Sequence, residues 1–317
     1  MISTLTPNPS LDLTYELSGK LLRAAVQRAD SVSVEAGGKG INVSRNLVAN
    51  GVPSRAVAPV GGPSGEQFLS LLECVEVELV RVPVAGPVRT NTALAEKSGA
   101  LTKVNAGGPT LSEEEVERLL AETAAAARGA VWLAACGSLP PGAPDDLLAR
   151  VVVAAHEAGC KAAADSSGAP LAATLEAGPD LIKPNAEELA ELVGKPLATF
   201  GDVLAAAKEA CARGAKSVLV SLGADGAILL NEDGALHAQT PPFVPRSTVG
   251  AGDALLAGFL AAGGEGESAL IEAVAWGAAA ARLPGSRGPT PGDLDREVVS
   301  LHTDFDLGRE LKGEAPR

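Results

Sequence analysis

The chain has 317 residues, enough for one large α/β domain or two modest ones with a sizeable core. Hydrophobic residues make up 46% and aromatics only 3%, so that core must be built mainly from Ala, Val and Leu, and the chain is not of the disordered type. A formal net charge of -13 opposes attraction to a nucleic-acid backbone or an anionic membrane, and an anionic small substrate would need a few cations gathered in one cleft.

In chain order, the opening MISTLTPNPS reaches Pro7 and Pro9 before any apolar stretch forms, and no later apolar run approaches a membrane span, which predicts a cytoplasmic protein. Segments 13–15, 31–35, 90–96 and 101–104 are strand-like with no intervening long helix. They predict a small antiparallel sheet beside the main body, inserted in two pieces at roughly 12–35 and 88–106, that serves as a lid and keeps water from a bound substrate. The four cysteines, Cys74, Cys136, Cys160 and Cys211, show neither CxxC spacing nor disulfide-rich density and read as reduced, buried thiols.

Between the two lid pieces stands Ala36-Gly37-Gly38-Lys39-Gly40-Ile41-Asn42, after a strand and before a helix whose apolar face includes Ile41, Leu47 and Val48. It lacks the Gly-Lys-Ser/Thr ending of a phosphate-binding loop, and Val43 stands where a dinucleotide fingerprint wants Gly or Ala. The paired glycines still let the backbone approach a ligand, with Lys39 as a cation and Asn42 as donor and acceptor. A tight turn with a solvated lysine explains the segment as well.

Ser112 with Glu115 three positions on forms a capping box and predicts a helix start, followed by Val116, Leu119 and Leu120. From residue 130 onward, apolar runs at 130–135, 161–164, 181–183 and 217–222 alternate with Ala- and Leu-rich stretches of helical period, the pattern of parallel βαβ units. Lys183-Pro184-Asn185-Ala186-Glu187-Glu188 joins a strand end to a helix. Lys183 is placed to meet phosphate and Glu188 to orient magnesium through water, while an acidic helix start accounts equally for both glutamates. Ser221-Leu222-Gly223-Ala224-Asp225-Gly226 reads as strand, glycine turn and second strand.

The most chemical segment is Thr248-Val249-Gly250-Ala251-Gly252-Asp253, followed by the apolar run 254–262. Successive amides at Gly250, Ala251 and Gly252 converge on an anion at the positive end of a helix dipole. Asp253, in the first turn, is kept ionised by that dipole and is placed to accept a proton from an attacking hydroxyl. His156, His237 and His302 lie outside every motif and read as surface or packing residues, and the tail beyond Leu311 is polar and frayed.

Taken in order, Gly37-Gly38-Lys39-Gly40-Ile41-Asn42, Gly137-Ser138-Leu139-Pro140, Lys183-Pro184-Asn185-x-x-Glu188, Ser221-Leu222-Gly223-x-x-Gly226 and Gly250-Ala251-Gly252-Asp253 resemble the PfkB, or ribokinase-like, carbohydrate kinase family over nearly the whole chain. The opening Thr4-Leu-Thr-Pro-Asn8-Pro-Ser-Leu-Asp12, the lysine of the glycine motif and Arg89-Thr90-Asn91 are similar to the branch that contains 1-phosphofructokinase and tagatose-6-phosphate kinase. The resemblance implies a single ribokinase-like α/β domain over 1–317: a mainly parallel sheet flanked by helices, with the small β lid. It implies sugar contacts from Asp12, Gly37, Gly38, Asn42 and Ser138, and a grip on a phosphate already on the sugar by Lys39, Arg89 and Lys103.

On the nucleotide side it implies Lys183, Asn185, Ser221, Gly223 and Gly226, with residues 278–288 bordering adenine and magnesium held near Asn185 and Glu188 through water. Asp253 is then the base, with Gly250, Ala251 and Gly252 as the anion hole. The implied reaction moves the γ-phosphoryl group of ATP, with Mg2+ and a monovalent cation as candidate cofactors, to a ketohexose phosphate, fructose 1-phosphate foremost. Dimerisation through the lids is implied as well. Three other readings stand beside this one: a kinase of tagatose 6-phosphate, fructose 6-phosphate or an unphosphorylated acceptor; a catalytically silent sugar-phosphate sensor; and a dinucleotide oxidoreductase, which lacks its third glycine.

Overall fold

A computed structural model of the chain describes residues 1–73 and 75–312. Its elements run, in order, β1 (Ile2–Leu5), β2 (Ser10–Leu17), β3 (Ser31–Gly37), α1 (Lys39–Ala49), β4 (Ser54–Val60), α2 (Gly62–Glu73), β5 (Glu78–Pro83), β6 (Arg89–Glu96) and β7 (Leu101–Val104). Then follow α3 (Glu113–Ala127), β8 (Trp132–Cys136), α4 (Leu147–Glu157), β9 (Lys161–Asp165), α5 (Gly168–Leu175), β10 (Leu181–Ile182), α6 (Ala186–Val193), α7 (Phe200–Ala212) and β11 (Val218–Ser221). The chain ends with β12 (Ala227–Asn231), β13 (Gly234–Gln239), α8 (Ala251–Ala261), α9 (Gly266–Ala281) and β14 (Ser300–His302).

Ten strands form one sheet in the order β14-β13-β12-β11-β10-β9-β8-β1-β4-β5. Every pairing from β5 to β11 is parallel, and β12, β13 and β14 extend the edge antiparallel. The central strands β8, β9 and β10 read as unbroken apolar runs because helices cover both faces of a parallel sheet. α1, α8 and α9 cover one face, with Leu47, Leu256, Phe259 and Trp276 buried. Leu119 of α3 and Val151 of α4 fill the opposite side, continued by Leu171 of α5, Leu189 of α6 and Phe200 of α7. Each such Leu or Phe contributes about 1.5–3 kcal/mol by leaving water.

The second sheet has the order β3-β2-β6-β7 and is made of the two segments expected for the lid. Its outer pairings, β2–β3 and β6–β7, are antiparallel, but β2 and β6 run parallel. That parallel pair requires a crossover, and the crossover corrects the reading of the first third as strands without a long helix: α1, β4, α2 and β5 lie between β3 and β6. α2 begins Gly-Pro-Ser-Gly, a loop-like start, and its helical signal is confined to the buried pair Phe68 and Leu72, spaced i, i+4.

Local start signals hold where they were strongest. Ser112 and Glu115 form the reciprocal capping box that opens α3, and Asn185 with Glu188 and Thr199 with Asp202 do the same for α6 and α7. Cys136 and Cys160 are buried free thiols and Cys211 is partly buried; Cys74 and the tail beyond Lys312 lie outside the described residues. His237 and His302 stack on each other, and His156 meets Asp180, so the histidines pack or sit at the surface. Among the described residues, no helix is long and apolar enough to cross a membrane.

Candidate active site

Parallel α/β sheets bind ligands at the carboxyl ends of their strands, and the chemically marked segments of this chain gather there. Lys183 follows β10, Ser221 ends β11, Asp165 ends β9, and Gly137 and Ser138 follow β8. Opposite them, α1 opens at Lys39 and α8 at Ala251.

Gly250 caps α8 in the left-handed region at φ 77 with no side chain bonded to the first turn. Only glycine takes that conformation without strain, and it leaves the Gly250 and Gly252 N–H groups to face an anion, while Ala251 N–H makes a long, 3.4 Å hydrogen bond to the Thr248 carbonyl. Asp253, two residues into α8, is 7% exposed. Its Oδ2 accepts a hydrogen bond of 2.8 Å from Asn42 Nδ2 on α1. Burial, and next the negative charge of Asp165, push its pKa up to about 6 against the opposing pull of the Asn42 hydrogen bond, Lys39 and Lys183. Desolvation outweighs the helix dipole that the sequence reading expected to keep Asp253 ionised, so the carboxylate is ionised at neutral pH but more basic than usual.

Asp165 is the site residue that the sequence reading missed. It is 1% exposed, its Oδ1 accepts from Lys39 Nζ at 2.8 Å, and its Oδ2 lies 3.2 Å from Lys183 Nζ. Lys39 Nζ also reaches Glu188 Oε1 at 3.2 Å. Burial alone would discharge Lys39 and raise Asp165, but the mutual attraction wins for both. Lys39 is held charged above its ordinary range, and Asp165 is held below the usual carboxylate range by Lys183 and Lys39. The only sequence signal for Asp165 is a carboxylate that closes the apolar run of β9 just before Ser-Ser-Gly.

The predicted nucleotide residues come together. Asn185 and Ser221 form a parallel bridge, and Ser221 N–H donates to the Pro184 carbonyl. Gly223–Asp225 is a 3₁₀ turn closed by Leu222 N–H donating to the Gly226 carbonyl. A Cβ on Gly252 would lie 3.6 Å from Lys183 Nζ, so the lysine borders the anion loop directly. In the 278–288 segment, Ser286 packs against Gly250 and bonds the Glu35 carboxylate of the small sheet. Asn185 Oδ1 accepts from Glu188 N–H in the cap of α6, and Glu188 Oε2 accepts from Asn185 N–H.

On the other side, Asp12 of β2 accepts from Ser10 Oγ at 2.7 Å and Asn91 Nδ2 at 3.0 Å. A Cβ on Gly37 would lie 2.1 Å from Asp12 Oδ2, which is why the first glycine of that motif admits no side chain. Arg89 donates to the Ala106 carbonyl; burial lowers its pKa and the nearby Asp12 opposes that. Gly38 contacts Thr6, Lys103 sits exposed on β7, and Ser138 Oγ is 3.5 Å from Asn8 Nδ2. Of the three cations expected to grip one phosphate, Lys39 is thus paired with Asp165 and Glu188, and Arg89, at the start of β6, with the Ala106 carbonyl.

Asp165 and Glu188 offer the donor chemistry that magnesium takes: one or two carboxylates, with phosphate oxygens and water supplying the rest. Among the described residues there is no cluster of three or more acidic, histidine or cysteine side chains that would make an all-protein metal cage. Chemically, the arrangement pairs a buried base with an amide anion hole, the buried Lys183 and the partly exposed Lys39, a fit for proton abstraction from a hydroxyl beside a multiply charged phosphate.

Comparison with known proteins agrees with this geometry. The family described as pfkB family carbohydrate kinase matches residues 6–291. The 1-phosphofructokinase of Haloferax volcanii is 38% identical over 308 residues, 97% of this chain and 98% of that protein. The ATP-dependent 6-phosphofructokinase isozyme 2 of Escherichia coli is 36% identical over 282 residues, 88% of this chain and 90% of that one. The crystal structure of phosphofructokinase-2 from Escherichia coli in complex with potassium superposes with a TM-score of 0.86 at 34% identity, covering 92% of this chain and 96% of that chain. On its sequence, its fold and its grouped site residues, the chain belongs to the PfkB family of carbohydrate kinases.

Proposed function

We propose that the protein is an ATP-dependent kinase of a phosphorylated ketohexose, acting foremost on fructose 1-phosphate to give fructose 1,6-bisphosphate. The observation that carries the reading is Asp253: a buried carboxylate poised near 6, in the first turn of a helix capped by Gly250. A base of that pKa is mostly ionised at neutral pH yet basic enough to take a proton as a hydroxyl attacks. The substrate oxygen forms a bond to the γ-phosphorus of ATP, the bond to the β,γ-bridging oxygen breaks, and the hydroxyl proton passes to Asp253 Oδ.

The amides of Gly250 and Gly252, with Lys183 beside them, stabilise the spreading charge of the transferring group, and Ala251 N–H joins them by giving up its long hydrogen bond to the Thr248 carbonyl. Asn42 holds Asp253 in place by its 2.8 Å hydrogen bond. Asp12, Gly37, Gly38 and Ser138 border the sugar, while Arg89 and Lys103 stand on the small sheet for the phosphate it already carries. Glu188 and Asp165 would hold magnesium, which would supply neutralisation of the phosphate charge when bound. Lys39, between those two carboxylates and Asp253, bridges the nucleotide and sugar halves. The small sheet acts as the lid, and lid pairing gives a homodimer in the cytoplasm.

Fructose 6-phosphate is the second reading, favoured by the likeness to the Escherichia coli isozyme; that relative's crystallisation with potassium makes a monovalent-cation requirement part of the proposal. The test is magnesium-dependent ADP release from ATP across fructose 1-phosphate, fructose 6-phosphate, tagatose 6-phosphate, free fructose and a nucleoside, with and without potassium. The highest kcat/KM is expected with fructose 1-phosphate. A preference for a 6-phosphate moves the substrate and keeps the mechanism, whereas a preference for an unphosphorylated acceptor removes the phosphate grip, and ligand binding without ADP release makes the protein a sensor.

A further inference from the structure

The segment after β14 lies beyond residues 6–291, the part of the chain that the family match covers. It turns back along the start of α7 as an extended strap. Gly201 N–H donates to the Leu307 carbonyl at 2.8 Å, Phe200 N–H to the Arg309 carbonyl at 3.0 Å, and Leu311 N–H to the Ala198 carbonyl at 2.9 Å. The Phe305 ring anchors the strap 6.1 Å from Phe200 and 5.6 Å from His237.

The strap ends on Asp225. That carboxylate is 1% exposed and sits in the Gly223–Asp225 turn between β11 and β12. Arg309 bonds its Oδ1, Lys312 N–H donates to its Oδ2 at 2.7 Å, and Lys312 Nζ lies 3.4 Å from Oδ1. The Arg309 guanidinium is itself fixed, 4.6 Å over the Phe200 ring and donating to Gln239 Oε1 at 3.1 Å. A buried carboxylate persists only where charge and hydrogen bonds compensate it. Here the cations come from a segment 84 positions further along the chain.

We propose that Arg309 is a positioning residue for the nucleotide. It acts through Asp225: by neutralising that carboxylate, the strap holds the Gly223–Gly226 turn, and with it Ser221 and the bridged Asn185, where ATP is received. The inference rests on the kinase reading and on that turn being part of the nucleotide site. Loss of Arg309 then weakens nucleotide binding selectively, because Asp12 and Arg89 stand on the other sheet and Ser138 follows β8, separated from β11 by β9 and β10.

The test compares full-length wild type with Arg309→Gln, Arg309→Lys and Phe305→Ala. It measures KM for ATP and for fructose 1-phosphate, the dissociation constant of ADP by calorimetry, and the melting midpoint. Arg309→Gln is expected to raise KM for ATP and Kd for ADP by roughly 10-fold, and Arg309→Lys by about 3-fold, with KM for the sugar within about twofold. Phe305→Ala loosens the strap without touching Asp225, so it should lower the melting midpoint and leave Kd for ADP within about twofold.

Unchanged ADP affinity in Arg309→Gln overturns the proposal, and so does an equal loss in Phe305→Ala, which would make the strap merely structural. If Arg309→Gln does not fold, wild-type ADP affinity in Arg309→Lys overturns it on its own. A wild-type chain that binds no ADP sinks the kinase reading along with it, whereas one that binds ADP while the variants match it sinks this inference alone.

Discussion

At Asp253, burial and function pull in the same direction. A carboxylate at its ordinary value would be a feeble base; one raised to about 6 holds a proton more readily and remains largely ionised at pH 7. The acid limb of kcat/KM should therefore fall with an apparent pKa near 6, one decade per pH unit below it, when ADP release is followed from pH 4.5 to 8. Because the folded-state pKa lies above the unfolded value, Asp253 contributes full stability below the unfolded pKa, and that contribution is lost as pH rises through about 6. Asp253→Asn should lower turnover by about 10²–10⁴-fold and, at pH 8, raise stability by up to about 2–3 kcal/mol in chemical denaturation. Near-wild-type turnover, or an acid limb unmoved from pH 4, removes Asp253 from its role. Asp253 and Lys39 were legible in the sequence because each sits in a local glycine motif. Asp165 was not: its partner Lys39 lies 126 positions away, and nothing in the residues around Asp165 announces the pairing.

Among the elements, α8 carries the argument through its cap. The φ of 77 at Gly250 admits an L residue only with strain, although a Cβ there would meet nothing closer than 3.8 Å. Gly250→Ala should cost about 1–2 kcal/mol in thermal stability and, by moving the amides, lower kcat by roughly 10²-fold. A variant that loses stability but keeps its kcat would show that these amides do not face the transferring group. Elements with a chemical start signal were readable at this scale, as Ser112 and Glu115 show for α3. Those without one were not. β4 and β5 join the main sheet, beside β1, within the crossover demanded by the parallel pairing of β2 with β6. That pairing joins residues about 80 positions apart in sequence, beyond any local periodicity.

Across the whole molecule, five short motifs meet at the carboxyl ends of the main sheet; the βα alternation announced the parallel units after residue 130, and the family resemblance supplied the ribokinase-like architecture with its small sheet. Neither announced the strap, since its purpose depends on a buried charge in a distant turn. The scarcity of aromatic residues, first met as a constraint on the core, has an optical consequence: the chain has two tryptophans and one tyrosine. Trp276 is 3% exposed, its indole N–H bonded to Glu272 at 2.8 Å, and a Cβ on Gly258 of α8 would lie 2.7 Å from its ring. Trp132 is 2% exposed beneath Gly264, and Tyr15 stands in β2 of the small sheet. In Trp132→Phe, the remaining indole reports on the helix pair α8 and α9 that carries Asp253, and its emission should shift to the red at the same urea midpoint as the loss of far-ultraviolet ellipticity. A separate midpoint would mean that α8 and α9 melt on their own. Tyr15 gives the small sheet a chromophore of its own, so the closure proposed for that sheet and the integrity of α8 can be watched at two wavelengths without adding a label.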